Sequence, residues 1–233
     1  MNVIIPVAGR GERLRPLTDT TPKPLLEVAG KPILDHIMDK ILPLNPSEVI
    51  FVTGHLKEQI EEYAKKFPNA RCIEQQEQRG TADAVWTAKD ALTEDVLVDF
   101  GDTIFDADLS VIENCQDDAI IWVKEVDNPE RFGVIVTDDQ GYMTTMVEKP
   151  KEFVSNLANI GLYYIKNHEL FKGAVQHTIE HHEGKGEMYL TDAFQYMVDK
   201  GANIKPLPVK GWYDCGTKED LEKTDTILRT RNS

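Results

Sequence analysis

The sequence predicts an α/β fold, with a Rossmann-like, mostly parallel sheet, helices on both faces and antiparallel strands added in the second half. Two observations carry this. Through the first hundred residues, short apolar β-branched runs alternate with segments of helical periodicity. Beyond residue 118, strand-like runs follow one another with few helices between them.

The first apolar run, residues 3–7, predicts a buried strand that breaks at Gly9-Arg10-Gly11. Over 32–42, Ile33, Leu34, Ile37, Met38, Ile41 and Leu42 recur at three- and four-residue spacings, which predicts a helix with Pro32 in its first turn. A strand follows over 48–53, then a polar-faced helix over 56–67 that turns Leu56, Ile60, Tyr63 and Ala64 inward. Next come a short strand at 71–74, a helix over 81–92 and a strand over 96–100 that ends at Gly101-Asp102. Strands joined through helices in this rhythm pair in parallel. The runs at 119–126, 134–136, 142–147 and 157–165 predict antiparallel additions. Helices return at 169–181 and 190–200, strands near 203–208 and at 212–216, and a closing helix at 218–228. No linker, repeat or low-complexity tract divides residues 1–233, so a single domain is expected.

Composition narrows the function. An apolar content of 41% over 233 residues supplies a full core, and the net charge of −14 argues against nucleic acid or an anionic membrane as partner. The first 31 residues go against this balance: Arg10, Arg13, Arg15, Lys23 and Lys31 face only Glu12, Asp19 and Glu27. A cationic island in an acidic chain suggests a small anionic ligand. Cys72, Cys115 and Cys215 are odd in number and widely spaced, which fits a reducing, cytoplasmic setting without a disulfide framework or thiolate zinc site. The apolar run at 3–8 is too short for a signal peptide, and no stretch is long enough to span a bilayer.

The opening stretch, "VIIPVAGRGERLRPLTDTTPKPLL", fails two standard glycine-loop patterns. Leu14 stands where a dinucleotide fingerprint needs its third glycine, and no Gly-Lys-Ser/Thr of a P-loop follows. The physical logic of such loops survives. Gly9 and Gly11 free the backbone at the end of a strand, where bare N–H groups can cradle phosphate oxygens. Arg13 adds a planar fork and Lys23 a point charge, aimed by Pro22 and Pro24. Together these residues describe a socket for a triphosphate.

Gly9-Arg10-Gly11-Glu12-Arg13-Leu14-Arg15-Pro16-Leu17-Thr18, then Pro22-Lys23-Pro24-Leu25-Leu26 and Gly30-Lys31-Pro32, resembles the signature of the sugar-1-phosphate nucleotidylyltransferases. Members usually carry Thr or Ser where this chain has Glu12, and Glu occurs in some of them. The resemblance runs down the whole chain and implies the nucleotide-diphospho-sugar transferase fold. It assigns nucleotide contacts to Ala8, Gly9, Gly11, Arg13, Gln75 and Gly80. In "EQQEQRGTADAV" (74–85), Gln75 would face a pyrimidine edge and Gly80 would approach the ring closely, at the spacing of uridylyl- and thymidylyl-transferring members. Thr81 is the expected cap of the helix that follows.

The resemblance assigns Mg²⁺ to Asp102 in "VLVDFGDTIF" and Asp214 in "GWYDCGTKEDL", and catalytic roles to Arg13, Lys23 and Asp102. Two carboxylates from distant loops suit a hard cation that keeps waters and shares substrate phosphates. "VEKP" (147–150), "ANIGLYYI" (158–165) and "GEMYLTDAF" (186–194) resemble the sugar stations, with Glu148, Lys149, Asn159, Gly161 and Glu187 as sugar-phosphate contacts and Thr191 and Asp192 as structural residues. Thr217 is expected to cap the closing helix with Asp220 three residues on. His177 and His181 stand at zinc-compatible spacing beside His182, but no Glu completes an HExxH pattern, so a solvated helix face is expected.

The implied reaction joins an NTP, UTP or dTTP in preference, to a sugar 1-phosphate, giving NDP-sugar and pyrophosphate. Glucose, an amino sugar and N-acetylmuramic acid all fit these residues, and a homo-oligomer is left open. A non-catalytic nucleotide-sugar sensor on the same fold is the first alternative, opposed by the presence of Arg13, Lys23, Asp102 and Asp214 together. A cytidylyl- or guanylyltransferase is the second. The chain ends soon after its closing helix, and no C-terminal left-handed β-helix acyltransferase domain is expected.

Overall fold

The computed structural model describes residues 1–184 and 186–231. Along the chain lie β1 (Asn2–Pro6), the short pair β2 (Glu27–Val28) and β3 (Lys31–Pro32), α1 (Ile33–Ile41), β4 (Glu48–Thr53), α2 (Lys57–Ala64), β5 (Ala70–Glu74), α3 (Thr81–Thr87) and β6 (Val96–Asp99). Then follow β7 (Thr103–Asp106), β8 (Ala119–Glu125), β9 (Gly133–Thr137), β10 (Met143–Glu148), β11 (Leu157–Ile165), α4 (His168–Glu180), α5 (Leu190–Asp199), β12 (Ile204–Pro208), β13 (Gly211–Asp214) and α6 (Lys218–Arg231).

The central sheet runs β10-β9-β11-β6-β1-β4-β5, with β8 against β11 and β12 against β8. β5, β4, β1 and β6 are parallel. β11 lies antiparallel to β6 and β8, and β9 and β10 form an antiparallel pair. The second half thus adds antiparallel strands to the parallel sheet, as the sequence predicts; the join lies between β6 and β11, and β12 runs parallel to β8. The chain steps outward from β1 through β4 to β5, then returns to lay β6 on the other side of β1. That reversal opens a crevice beyond the carboxyl ends of β1 and β6.

Alternation along β1 divides the core into two layers. Val3, Ile5 and Val7 pack with Leu34 and Ile37 of α1, Ile60 of α2 and Leu221 of α6. Ile4 points the other way, into a layer with Val85 of α3, Phe171 of α4 and Phe194 of α5. In that second layer Phe194 stacks on Tyr163 with ring centres 4.8 Å apart.

Local chemistry moves several boundaries. α2 begins at Lys57 because Leu56 adopts a left-handed φ of 54°. α3 is capped by Gly80, not Thr81; the Thr81 hydroxyl instead accepts from the Leu190 N–H at 2.9 Å, tying α3 to the start of α5. Thr217 does cap α6: the Asp220 N–H donates to Thr217 Oγ1 at 3.2 Å, and that hydroxyl donates to Asp220 Oδ2 at 2.6 Å. β7 was not expected from the sequence. It follows β6 after one tight turn and, among the described residues, pairs only with β13, off the main sheet.

Candidate active site

The glycine loop after β1 is shaped by one strained position and one empty one. Gly11 sits at φ 61°, and a Cβ there would lie 2.9 Å from Thr18 Cγ2 and 3.3 Å from Lys23 Cβ. A side chain at Gly11 would push on the lysine the loop must place. A Cβ on Gly9 would meet nothing within 4 Å. Ala8 is buried, and its carbonyl accepts from the His55 N–H and from Gln78 Nε2, at 3.1 and 2.7 Å. Gln78, not singled out in the sequence, thus ties the glycine loop to the segment after β5. Lys23 opens a single 3₁₀ turn entered from Pro22, and its stem is buried. Its ammonium lies 2.8 Å from Asp102 Oδ2.

Asp102 follows β6 through Gly101, whose φ is 68°. The β7–β13 ladder sets Asp214 directly across from Thr103, so the two aspartates assigned to metal are brought to one corner although 112 residues separate them in the chain. Asp214 Oδ1 accepts from the Gly216 N–H at 2.8 Å. Burial raises the Asp214 carboxyl, and the neighbouring Asp102 raises it further. Two hard oxygen donors that repel one another are a fit for a divalent cation. Among the described residues no group of three or more His, Cys, Asp or Glu is arranged to hold a metal, so protein ligation there would be limited to this pair.

Gln75 follows β5 at the same edge of the sheet and is buried. Its Nε2 donates to Asp83 Oδ2 at 2.7 Å. Gly80 has a physical reason beyond the expected one. A Cβ there would stand 2.5 Å from the backbone N and O of Met188, so the missing side chain admits the 186–190 segment. Arg79 and Ala82 bond that segment through Met188 N and O, at 2.8 and 2.9 Å.

The sugar stations converge at the start of β11 and the end of β10. Register places Glu148 opposite Gly133, and Ala158 opposite Val134. Burial raises the Glu148 carboxyl, opposed by Lys149, whose ammonium lies 3.6 Å away, and by the Thr191 hydroxyl. Asn159 is largely occupied within the protein. Its Nδ2 donates to the Gly133 carbonyl at 2.9 Å, while Oδ1 accepts from the Gly161 N–H and the Tyr163 hydroxyl. Gly161, at φ 81°, makes room for the Phe100 ring, which a Cβ would meet at 2.9 Å.

These residues line two adjoining rooms. One, of about 320 Å³, holds Glu148, Lys149, Asn159, Gly161, Glu187 and Asp214. The other, of about 200 Å³, holds Gly9, Gly11, Lys23 and Gly216. Arg13, Phe100 and Asp102 belong to both. Gln75 and Gly80 stand outside both linings.

Sequence reasoning missed several walls of the larger room: Phe100, Arg131, Phe132, Gly133, Tyr163 and Trp212. Arg131 also lies 4.0 Å from Asp214 and 3.8 Å from Asp220. Trp212 Nε1 is buried in that room's wall without a hydrogen-bond partner among the described residues. The aromatic-glycine pair Phe132-Gly133 at the head of β9 was the available signal. The three histidines lie elsewhere, by the end of α4, where His177 stacks on His181 and Tyr196.

Comparison with known proteins shows the family and the fold. The nucleotidyl transferase family model matches residues 2–230. The bifunctional protein GlmU of Methanocaldococcus jannaschii is 39% identical over 229 residues, covering 98% of this chain and 54% of that protein. This chain therefore spans about half the length of the GlmU relatives it matches. The UTP–glucose-1-phosphate uridylyltransferase AglF of Haloferax volcanii is 35% identical over 241 residues, covering 98% of this chain and 97% of that protein. The fold is shared with a UDP-glucose pyrophosphorylase solved with UDP-glucose: the TM-score is 0.85 at 23% identity, with 99% of this chain and 98% of that one covered. The resemblance carried by the glycine loop, Pro-Lys-Pro and the strand-end aspartates thus holds across the chain, which belongs to the nucleotidyl transferase family of enzymes.

Proposed function

We propose that the protein transfers a nucleotidyl group from UTP or dTTP to a sugar 1-phosphate, releasing pyrophosphate. One observation carries this reading: two adjoining rooms share Arg13, Phe100 and Asp102. One room is a glycine-and-lysine socket suited to a triphosphate. The other is a chamber with strand-borne Glu148 and Lys149, suited to a phosphorylated polyol. Their seam is where two phosphates would meet.

The sugar phosphate is already an anionic nucleophile, so no protein base is needed for attack at the α-phosphorus. The protein must hold two anions together and offset their repulsion, which makes positioning and electrostatics the main contributions. Gly9 and Gly11 offer backbone donors to the triphosphate. Arg13 and Lys23 stabilise charge that grows on the departing pyrophosphate. Lys149 neutralises the sugar phosphate, and Glu148 accepts from ring hydroxyls. Asp102 and Asp214 would hold Mg²⁺, which supplies charge neutralisation between the two phosphates when bound.

The names of AglF and of the UDP-glucose complex put glucose 1-phosphate first among the sugars to try. Pyrophosphate release measured over four NTPs and a panel of sugar 1-phosphates tests the reading. Turnover with UTP or dTTP and at least one sugar 1-phosphate is expected. Turnover confined to GTP or CTP overturns the base assignment, and tight binding of nucleotide-sugar without turnover overturns the enzyme.

A further inference from the structure

The amide of Gln75 can face only one way. Its Nε2 lies 2.7 Å from Asp83 Oδ2 and 3.4 Å from the Gly80 carbonyl. An ionised carboxylate and a carbonyl only accept hydrogen bonds. Turning the amide over would set its oxygen against both, so the network fixes the orientation. Gln75 Oε1 takes no hydrogen bond from any described residue. Asp83 is itself held: it is 4% exposed, and its Oδ1 accepts from Arg79 Nη2 at 2.6 Å and from Nε at 3.1 Å. This clamp leaves Asp83 one oxygen for Gln75. Arg79 is in turn anchored through its carbonyl to the Met188 N–H at 2.8 Å.

We propose that Asp83 is a positioning residue that sets pyrimidine choice by locking Gln75 to present an acceptor. Uracil and thymine carry an N–H at ring position 3, whereas cytosine carries a lone pair there. A locked acceptor pairs with the first two and repels the third. A Gln75 free to turn over would offer N–H to cytosine as readily as C=O to uracil. A buried acceptor left facing a lone pair is what makes such discrimination strong. The proposal rests on the reading of Gln75 as the base-facing residue and adds the residue that gives it direction.

The test is kcat/KM for UTP and for CTP in four proteins: wild type, Gln75→Ala, Asp83→Asn and the double variant Gln75→Glu/Asp83→Asn. In Asp83→Asn the two Arg79 donors keep the introduced amide's oxygen and leave its N–H₂ toward Gln75, which turns over to accept from it, and the UTP:CTP ratio is expected to fall about tenfold or more. In the double variant, the amide introduced at position 83 donates to the carboxylate introduced at position 75. The other oxygen of that carboxylate is again an acceptor, so most of the ratio returns. A merely structural Asp83 would lower both substrates alike, and an unchanged ratio in Asp83→Asn beside a lowered one in Gln75→Ala overturns the lock while leaving the base reading intact. An unchanged ratio in Gln75→Ala overturns the reading of Gln75 itself. If Asp83→Asn fails to fold, the double variant still decides, because a folded double variant without UTP preference overturns the lock.

Discussion

The two rooms of the cleft are built on opposite plans. The smaller one is made of backbone: a loop at the end of a parallel strand, Gly11 held at φ 61°, and cations on Arg13 and Lys23 within one contiguous stretch. The larger one is made of strands. Gly133, Glu148, Asn159 and Gly161 come from three strands of the antiparallel half, and Asp214 from a fourth that pairs off the main sheet. A loop of bare N–H groups accepts any polyphosphate tail, whereas side chains fixed at strand ends can recognise one arrangement of hydroxyls. General affinity thus belongs to the proposed nucleotide side and sugar selectivity to the other. Asp102 stands at the seam, in contact with the first through Lys23.

If that division is right, the largest effect comes from the seam. Asp102→Asn is expected to lower kcat at least a thousandfold in Mg²⁺, equivalent to about 4 kcal/mol or more, with the circular dichroism spectrum unchanged. Wild-type turnover in that variant would remove the metal assignment. Lys23→Ala follows, at about 2–4 kcal/mol in the barrier, by analogy with the loss of one preorganised donor. It should lower kcat as well as kcat/KM, because the charge it meets grows in the transition state. Lys23→Arg should recover only part of this, since the buried stem and the 3₁₀ turn aim a point charge. Steady-state kinetics on both variants reads the difference.

Two glycines test the division itself. A Cβ on Gly133 would lie 2.4 Å from Asn159 Nδ2 and 2.9 Å from both Glu148 Oε2 and Thr191 Cγ2. Gly133→Ala should raise KM for the sugar 1-phosphate about tenfold, within the 1–3 kcal/mol usual for overpacking, and leave KM for the NTP within about twofold. Gly11→Ala, which meets Thr18 and Lys23 instead, should do the reverse. Equal effects on both substrates in both variants would show the rooms to be one site.

The contrast also explains what could be seen in the sequence. The strand–loop–Pro-Lys-Pro stretch announces itself because its cations and turn residues are neighbours in the chain. Parallel and antiparallel halves were legible because helices either separate the strands or do not. The larger room was only half legible. Glu148, Lys149 and Gly161 stood out through resemblance, but Gly133, Phe132 and Trp212 become neighbours only when register pairs Glu148 with Gly133 and Asp214 with Thr103. Register depends on contacts no single segment contains. Asn159 was read as facing the sugar, and Gly80 as yielding to a base. Hydrogen bonding to Gly133 and the approach of Met188 supply partners for both that spacing alone could not reveal.

The smallest effect on turnover should come from Asp99, which lies beneath the seam on the strand both halves share. It is a buried carboxyl at 3% exposure, bonded from the Gly101 N–H at 2.7 Å. Burial pushes it up to about 8, the Gly101 bond opposes this, and the charge of Asp102 adds to it. The sign follows from proton counting. Below about 4 the carboxyl is protonated in both the folded and the unfolded chain, and contributes no pH dependence. Between about 4 and 8 the unfolded chain has lost the proton and the folded chain keeps it, so this group makes stability fall as pH rises, by at most about 1.4 kcal/mol per unit. Above about 8 both forms are ionised and the decline stops. Asp99→Asn keeps an acceptor for Gly101 and never ionises. It should therefore match wild type in urea unfolding at pH 4, exceed it increasingly up to pH 8, and turn over at close to the wild-type rate. A variant less stable than wild type at pH 8 would mean that Asp99 is ionised in the fold and meets a cationic partner there. The strand where the two halves of the sheet meet would then be held by charge rather than by packing.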